Sequence, residues 1–202
     1  MLKERALPRS QALGDRLNAE REQLTDGVEK AMQRYFAQLR SRVAGVLGRQ
    51  MSRATDRGKI APDEVTVEML FPAGSQNELA RVLGGEYEKI IKATWQTIAA
   101  SGVAGVIEWS DNLPIVRQLV GIAENAAAEI DGVTRSAVSK AIEMGIERGY
   151  TIEEVARGVP AEGYPGVNSL VEETYRNRAR TIARTEVMRA QNATAKIGRA
   201  HV

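Results

Sequence analysis

Between residues 24 and 46 the apolar positions Leu24, Val28, Met32, Tyr35, Leu39, Val43 and Val46 follow one another at steps of 4, 4, 3, 4, 4 and 3. This is an eleven-residue period, about 3.67 residues per turn, and it predicts a long, nearly straight or slightly right-handed helical stripe instead of a heptad seam. One long face seeks a partner, and a partner within the chain or across subunits gives the same pattern. The segment up to Ser10, with Pro8 and scattered charge, reads as a poorly packed tail. The helix is expected to begin at Gln11 or Asn18 and to end at Arg57-Gly58, before Ala61-Pro62. Gly27, Gly45 and Gly48 inside it mark close approach or a bend.

Val65 to Phe71 is a short apolar insert closed by Pro72-Ala73-Gly74, readable as a helical turn or as extended chain, with Met69, Leu70 and Phe71 as core residues or a docking plug. Ser75 and Glu78 have capping-box spacing. After them Leu79, Leu83, Tyr87, Ile90, Thr94 and Ile98 line one helical face, widened by Ile91 and Trp95, to an end near Ser101-Gly102. Asn112 and Pro114 start the next helix, through Leu119, Ile122, Ala126 and Ile130. Asp131-Gly132 is expected to turn it into a further helix carrying Val133, Ala137, Ala141, Ile142 and Ile146 to Gly149, which would make an antiparallel hairpin. Thr151 and Glu154 form a second capping box for a short helix ending near Gly158. Val159 to Val167, with two prolines and two glycines, reads as a loop, and Ser169 with Glu172 as a third box. From there to Gly198 neither Gly nor Pro occurs, which allows a helix of about 28 residues, roughly 42 Å.

The expected fold class is mainly α: an elongated multi-helix protein with a long N-terminal helix, a central helical hairpin and a long basic C-terminal helix. Three regions follow: tail and amphipathic helix over 1–60, connector and second helix over 61–107, and a helical domain over 108–202. Composition agrees. Only 4% of the 202 residues are aromatic, which suits helix packing through small contacts. Without cysteine there are neither disulfides nor thiolate metal sites, and His201 is the only histidine, so metal sites and cofactors are not expected. Met1 to Arg21 is charged throughout and holds no signal peptide, and the weakly polar run Thr97 to Ile107 is too short to span a bilayer. A soluble, intracellular protein without a membrane anchor is expected.

Charge changes the picture. Residues 1–60 carry 13 basic and 7 acidic side chains, residues 61–175 carry 8 and 18, and residues 176–202 carry 7 and 1. The ends suit nucleic acid and the middle a positively charged protein surface; equally, the basic ends can pair with the acidic middle. On the first helix Arg42, Arg49, Arg53 and Arg57 form a stripe at steps of 7, 4 and 4, either a phosphate-tracking edge or a solvated face. No aromatic interleaves it, so base stacking is not expected.

The densest charge is Arg176 to Asn192, RNRARTIARTEVMRAQN, five arginines with Glu186 as the only acid. Ile182, Glu186, Arg189 and Ala193 share a helical face, with Thr185 and Lys196 beside it. One reading is a partly buried Glu186–Arg189 pair that fixes how the helix docks, with Thr185 and Asn192 tying down backbone. The other is that the arginines face a phosphate backbone or an acidic protein. Arg176, Arg180 and Arg184 step around a different side from Arg189, so both readings can hold.

Arg178-Ala179, Ile182-Ala183-Arg184-Thr185-Glu186, Arg189-Ala190 and Asn192 resemble the signature of the phage minor head protein family, the Mu F type head morphogenesis proteins. The resemblance covers about residues 108 to 200. It extends upstream through Asn112-Leu113-Pro114, the segment Ile130 to Arg135, and Glu147 to Ala156. Members of that family continue into a Gly- and Trp-containing segment with further basic and His positions, so the stop at Val202 is expected to mark a short variant or a fragment.

The resemblance implies a structural protein that joins the procapsid by binding the portal, sits inside the head near the portal vertex in multiple copies, and contacts packaged or ejected DNA. Major capsid or scaffold protein would be further partners. It makes Arg184, Thr185, Glu186, Arg189 and Asn192 a packing and docking signature. Arg176, Arg178 and Arg180, with the Arg42 to Arg57 stripe, are the candidates for double-stranded DNA. Catalysis is not expected: Glu153, Glu154, Glu172 and Glu173 sit at helix starts, where capping explains them, and neither a phosphate-cradling loop nor metal-ligand spacing occurs. Two alternatives are a sequence-independent DNA-binding helical module and the internal domain of a larger portal fusion.

Overall fold

Long amphipathic segments with small contact residues pack as helices, and helices are what form. The computed structural model describes residues 2–53, 65–71, 73–102 and 114–200, without side chains at 2–10, 114–115, 119–120, 173–177 and 197–200. The elements are α1 (Leu2–Arg53), α2 (Val67–Leu70), α3 (Ser75–Ala100), α4 (Pro114–Glu147), α5 (Ile152–Arg157), a 3-10 turn (Pro160–Glu162) and α6 (Gly166–Ala200). Among the described residues there is no strand, only an isolated bridge between Val159 and Tyr164. The mainly α class is therefore observed, with long first and last helices. Among the described residues no helix is long and apolar enough to cross a membrane.

The chain divides into two compact units, one of residues 1–32, 80–126 and 180–202, the other of 33–79 and 127–179. Each of the four long helices contributes to both.

In α1 the buried positions are Thr25, Val28, Met32, Tyr35, Phe36, Leu39, Val43 and Leu47. The eleven-residue period holds, since Val28 and Leu39, Met32 and Val43, and Phe36 and Leu47 are each one period apart. Leu24 and Val46, expected in the stripe, are half-buried beside it. α1 begins at Leu2, ahead of the expected start at Gln11 or Asn18, and the packing of the segment up to Ser10, expected to be a loose tail, lies outside the described side chains. The expected stop at Arg57-Gly58 and Pro62 lies outside the described residues, as does the Asn112 cap. In α3 every expected stripe residue is buried.

Two expectations in the second unit fail for one physical reason: Asp131, expected at a turn, and Ser75, expected to cap, bind across the unit instead. Asp131-Gly132 does not turn the chain, and α4 runs through it, so the two segments expected to form a hairpin are one helix. The Asp131 carboxylate, 6% exposed, accepts from Arg135 Nε at 2.6 Å and from Ser75 Oγ at 3.3 Å. Arg135 also donates to Ser75 Oγ at 2.7 Å and to the Phe71 carbonyl at 3.0 Å, and lies 5.1 Å over the Phe71 ring. Thr134 Oγ1 donates back to the Ile130 carbonyl. The helical phase therefore carries from Ile130 to Thr134, Val138, Ala141 and Ile142, and leaves the expected core residue Val133 47% exposed.

Ser75 is likewise occupied and does not cap: the Glu78 amide donates to the Gly74 carbonyl. Ser75's own carbonyl accepts from Tyr35. The insert is settled as a helical turn that buries Leu70 and Phe71 and exposes Met69.

The far end of α4 closes as the glycine pattern requires. Gly149 has φ +69, its amide donates to the Ile146 carbonyl, and the Tyr150 amide donates to the Gly145 carbonyl, a Schellman closure. The Thr151–Glu154 capping box is formed in both directions, which holds the Glu154 carboxyl below its ordinary range, first through the Thr151 amide and then its hydroxyl. The expected loop from Val159 shortens to a bridge and a 3-10 turn. The last helix begins at Gly166, so Ser169 is already inside it and does not cap.

Candidate functional site

The candidate site is the stretch of α6 from Arg180 to Lys196, all within the first unit. The helix face fixes what each side chain does. Ala183, Glu186, Val187, Ala190, Gln191 and Thr194 are buried; Thr181, Arg184, Thr185, Met188, Arg189, Asn192 and Lys196 are exposed. On the buried side Ala183, Val187, Ala190 and Thr194 are interspersed with Glu186 and Gln191, whose polar groups need partners.

Glu186, 5% exposed, has two. The Tyr87 hydroxyl of α3 donates to its Oε2, and Arg189 Nη1, one turn on, donates to the same oxygen at 3.2 Å. Burial first, and the bond to Glu186 second, push the Tyr87 phenol far above its ordinary range, so it stays a donor. Gln191, 3% exposed, pins the helix to α1: its Nε2 donates to the Leu17 carbonyl at 3.3 Å, and its Oε1 accepts from Arg21 Nε at 2.8 Å. At the other end Arg180 enters a triplet of acids on α1, within 3.2 Å of Glu22, 3.1 Å of Asp26 and 2.7 Å of Glu29. The hydrogen bond to Glu29, then that to Asp26, raises the pKa of this guanidinium further. Residue numbers rise along α6 as they fall along α1, so the two run antiparallel here.

The expected signature residues thus divide. Glu186 and Arg189 form the pair, with the acid buried and the base exposed at the edge. Arg184 and Asn192 face solvent. Thr185 is also exposed, and its hydroxyl donates to the Thr181 carbonyl of its own helix. Among the DNA candidates, Arg180 is held by the acid triplet, Arg178 is half-buried, and the Arg176 side chain lies outside the described residues. In the α1 stripe Arg42 is 3.3 Å from Glu78, Arg49 and Arg53 are exposed, and Arg57 lies outside the described residues.

Sequence reasoning missed Tyr87, Gln191 and the acid triplet. The triplet had a signal: Glu22, Asp26 and Glu29, at steps of 4 and 3, share one face of an otherwise basic segment. Tyr87 had a weaker one, because a phenol inside an apolar stripe needs a partner for its hydroxyl.

Compared with known proteins, the chain matches no family model, no curated protein and no solved structure.

Proposed function

We propose that this chain is a minor head protein of a tailed phage, a non-enzymatic helical component that joins the procapsid by binding the portal and touches packaged or departing DNA from inside the head. The observation that carries the reading is the segment Ile182 to Asn192, whose Ile-Ala-Arg-Thr-Glu core and following Arg-Ala and Asn resemble that family's signature. Its geometry supports a structural role. The lone acid of the segment is consumed in docking α6 onto Tyr87 of α3, and the remaining signature side chains point outward from a helix that α1 also pins. A component of a larger assembly needs rigidly placed helices, and the bonds from α3 and α1 to this stretch of α6 supply that rigidity. Major capsid or scaffold protein would be secondary contacts, and assembly on a portal ring implies several copies.

The test is co-sedimentation of the chain with the portal of its phage over a range of salt. Binding that survives moderate salt, where weak surface ion pairs are screened, is the expected result. Failure to bind portal at any salt, by a chain shown to be folded, would remove the portal reading.

A further inference from the structure

We propose that the outer face of α6 between Thr181 and Lys196 is a phosphate-backbone site for duplex DNA, with Arg184, Arg189 and Lys196 as its cations. This deepens the DNA contact in the function proposed above and rests on it.

The exposed residues Thr181, Arg184, Thr185, Met188, Arg189, Asn192 and Lys196 fall on a single arc of the helix, and that arc contains no acid. The one acid of this stretch, Glu186, lies beside the arc next to Arg189 and is buried. Arg184 and Lys196 take part in no ion pair among the described residues. Arg189 reaches Glu186 with Nη1 while its side chain stays 40% exposed, so it retains donors directed to solvent. The helical rise separates the three cations by about 7.5 and 10.5 Å. Thr181, one turn before Arg184, and Asn192, between Arg189 and Lys196, are exposed side chains of types that donate to phosphate oxygens in protein–DNA contacts.

The same geometry sets aside two of the cations that the sequence favours, Arg180 and Arg42. Arg180 is matched by three carboxylates, and a phosphate would have to displace them. On α1, Arg42 pairs with Glu78 and Arg40 with Glu172. Arg49 and Arg53 are exposed and form the competing surface. A protein partner is the less suited occupant of the α6 arc, since Met188 is its one large exposed hydrophobic and a protein interface needs an apolar centre.

The experiment measures affinity of the full chain for a short duplex of arbitrary sequence across a salt series. It compares wild type, Arg184→Ala with Lys196→Ala, and Arg49→Ala with Arg53→Ala; helical content and thermal midpoint confirm that both variants fold. In the α6 variant the slope of log affinity against log salt is expected to become shallower by about 1.8, or about 0.9 for each phosphate contact removed. An unchanged α6 slope with a shallower slope in the α1 variant overturns the site and leaves the DNA contact standing on α1. An unchanged slope with loss of portal binding overturns it in favour of a protein dock. Absence of duplex binding by the wild type removes the DNA contact itself and the site with it.

Discussion

Glu186 and Arg184 stand two residues apart on one helix, and the fold gives them opposite work. Removing the Tyr87 hydroxyl leaves the buried Glu186 carboxylate with Arg189 alone, so Tyr87→Phe is expected to lower stability by about 1–3 kcal/mol. Arg189→Ala acts on the same carboxylate from the other side and is expected to fall in the same range. Arg184→Ala changes an exposed residue and is expected to stay within about 0.5 kcal/mol of wild type. Urea titrations read all three; a loss for Arg184→Ala as large as that for Arg189→Ala would remove the distinction between inner and outer charge. The pair itself was legible, because a lone acid three residues before an arginine meets it on one helix face. Tyr87 was not. Its ring satisfies the apolar period of α3 on its own, and only the tertiary packing shows which acid its hydroxyl meets. Arg180 was misplaced for a related reason: a cation among cations reads as free until the helix that supplies its acids, 151 to 158 residues away, is in position.

At the scale of the element, α4 shows how local turn signals lose to packing. Asp-Gly is a strong turn pair in isolation. Here Asp131 is committed to Ser75 and Arg135, and once its carboxylate is held there, the helix continues through the glycine with Thr134 back-bonded to Ile130. Two glycines of this helix make a test. A Cβ at Gly132 would meet nothing within 4 Å, and its φ is not positive, so Gly132→Ala is expected to stabilise the protein by about 0.5–1 kcal/mol through the entropy of the unfolded chain. A Cβ at Gly145 would collide with Val155 Cγ2 and sit 3.2 Å from the Tyr164 hydroxyl. Gly145→Ala is therefore expected to cost about 1–3 kcal/mol, as overpacking does. A fall in thermal midpoint for both substitutions would mean that 131–132 is not helical interior, and a rise for both would mean that Gly145 is not closely packed. The stripes of α1 and α3 were legible because a single period decides them. The continuity of α4 was not, since its core phase passes through Asp131 and Thr134, which no hydrophobic count includes.

For the whole molecule, the division into basic ends and an acidic middle was read with two outcomes, and the ion pairs contain part of one. Arg42–Glu78 and Arg40–Glu172 join N-terminal bases to central acids, while Arg180 turns to acids of the N-terminal region itself. Total charge by segment could not distinguish these, because helices place residues by face and not by region. Proton linkage is the property in which the whole chain answers at once, and here the phenols dominate. Burial pushes Tyr35 up to about 12, with the Asp131 and Glu78 charges adding to it, and pushes Tyr164 up to about 12, with Tyr150 adding to it. The unfolded chain loses these protons near pH 10 while the folded chain keeps them. The unfolded state then binds fewer protons, and stability falls as pH rises. Below about pH 10 the contribution is fully present, and it is lost between about pH 10 and 12. Each gap is worth on the order of 2–3 kcal/mol at its upper end, at about 1.4 kcal/mol per pH unit. Urea unfolding measured at pH 8, 10 and 11 should therefore show little change between the first two and a fall at the last. Tyr164→Phe removes one titrating group and the bond to the Ala141 carbonyl together. Its stability is expected to start lower at pH 8 and to fall less steeply above pH 10, so that the two curves converge. Parallel curves would mean that Tyr164 keeps no proton beyond the unfolded chain, and that its ring is reached by solvent in the folded protein.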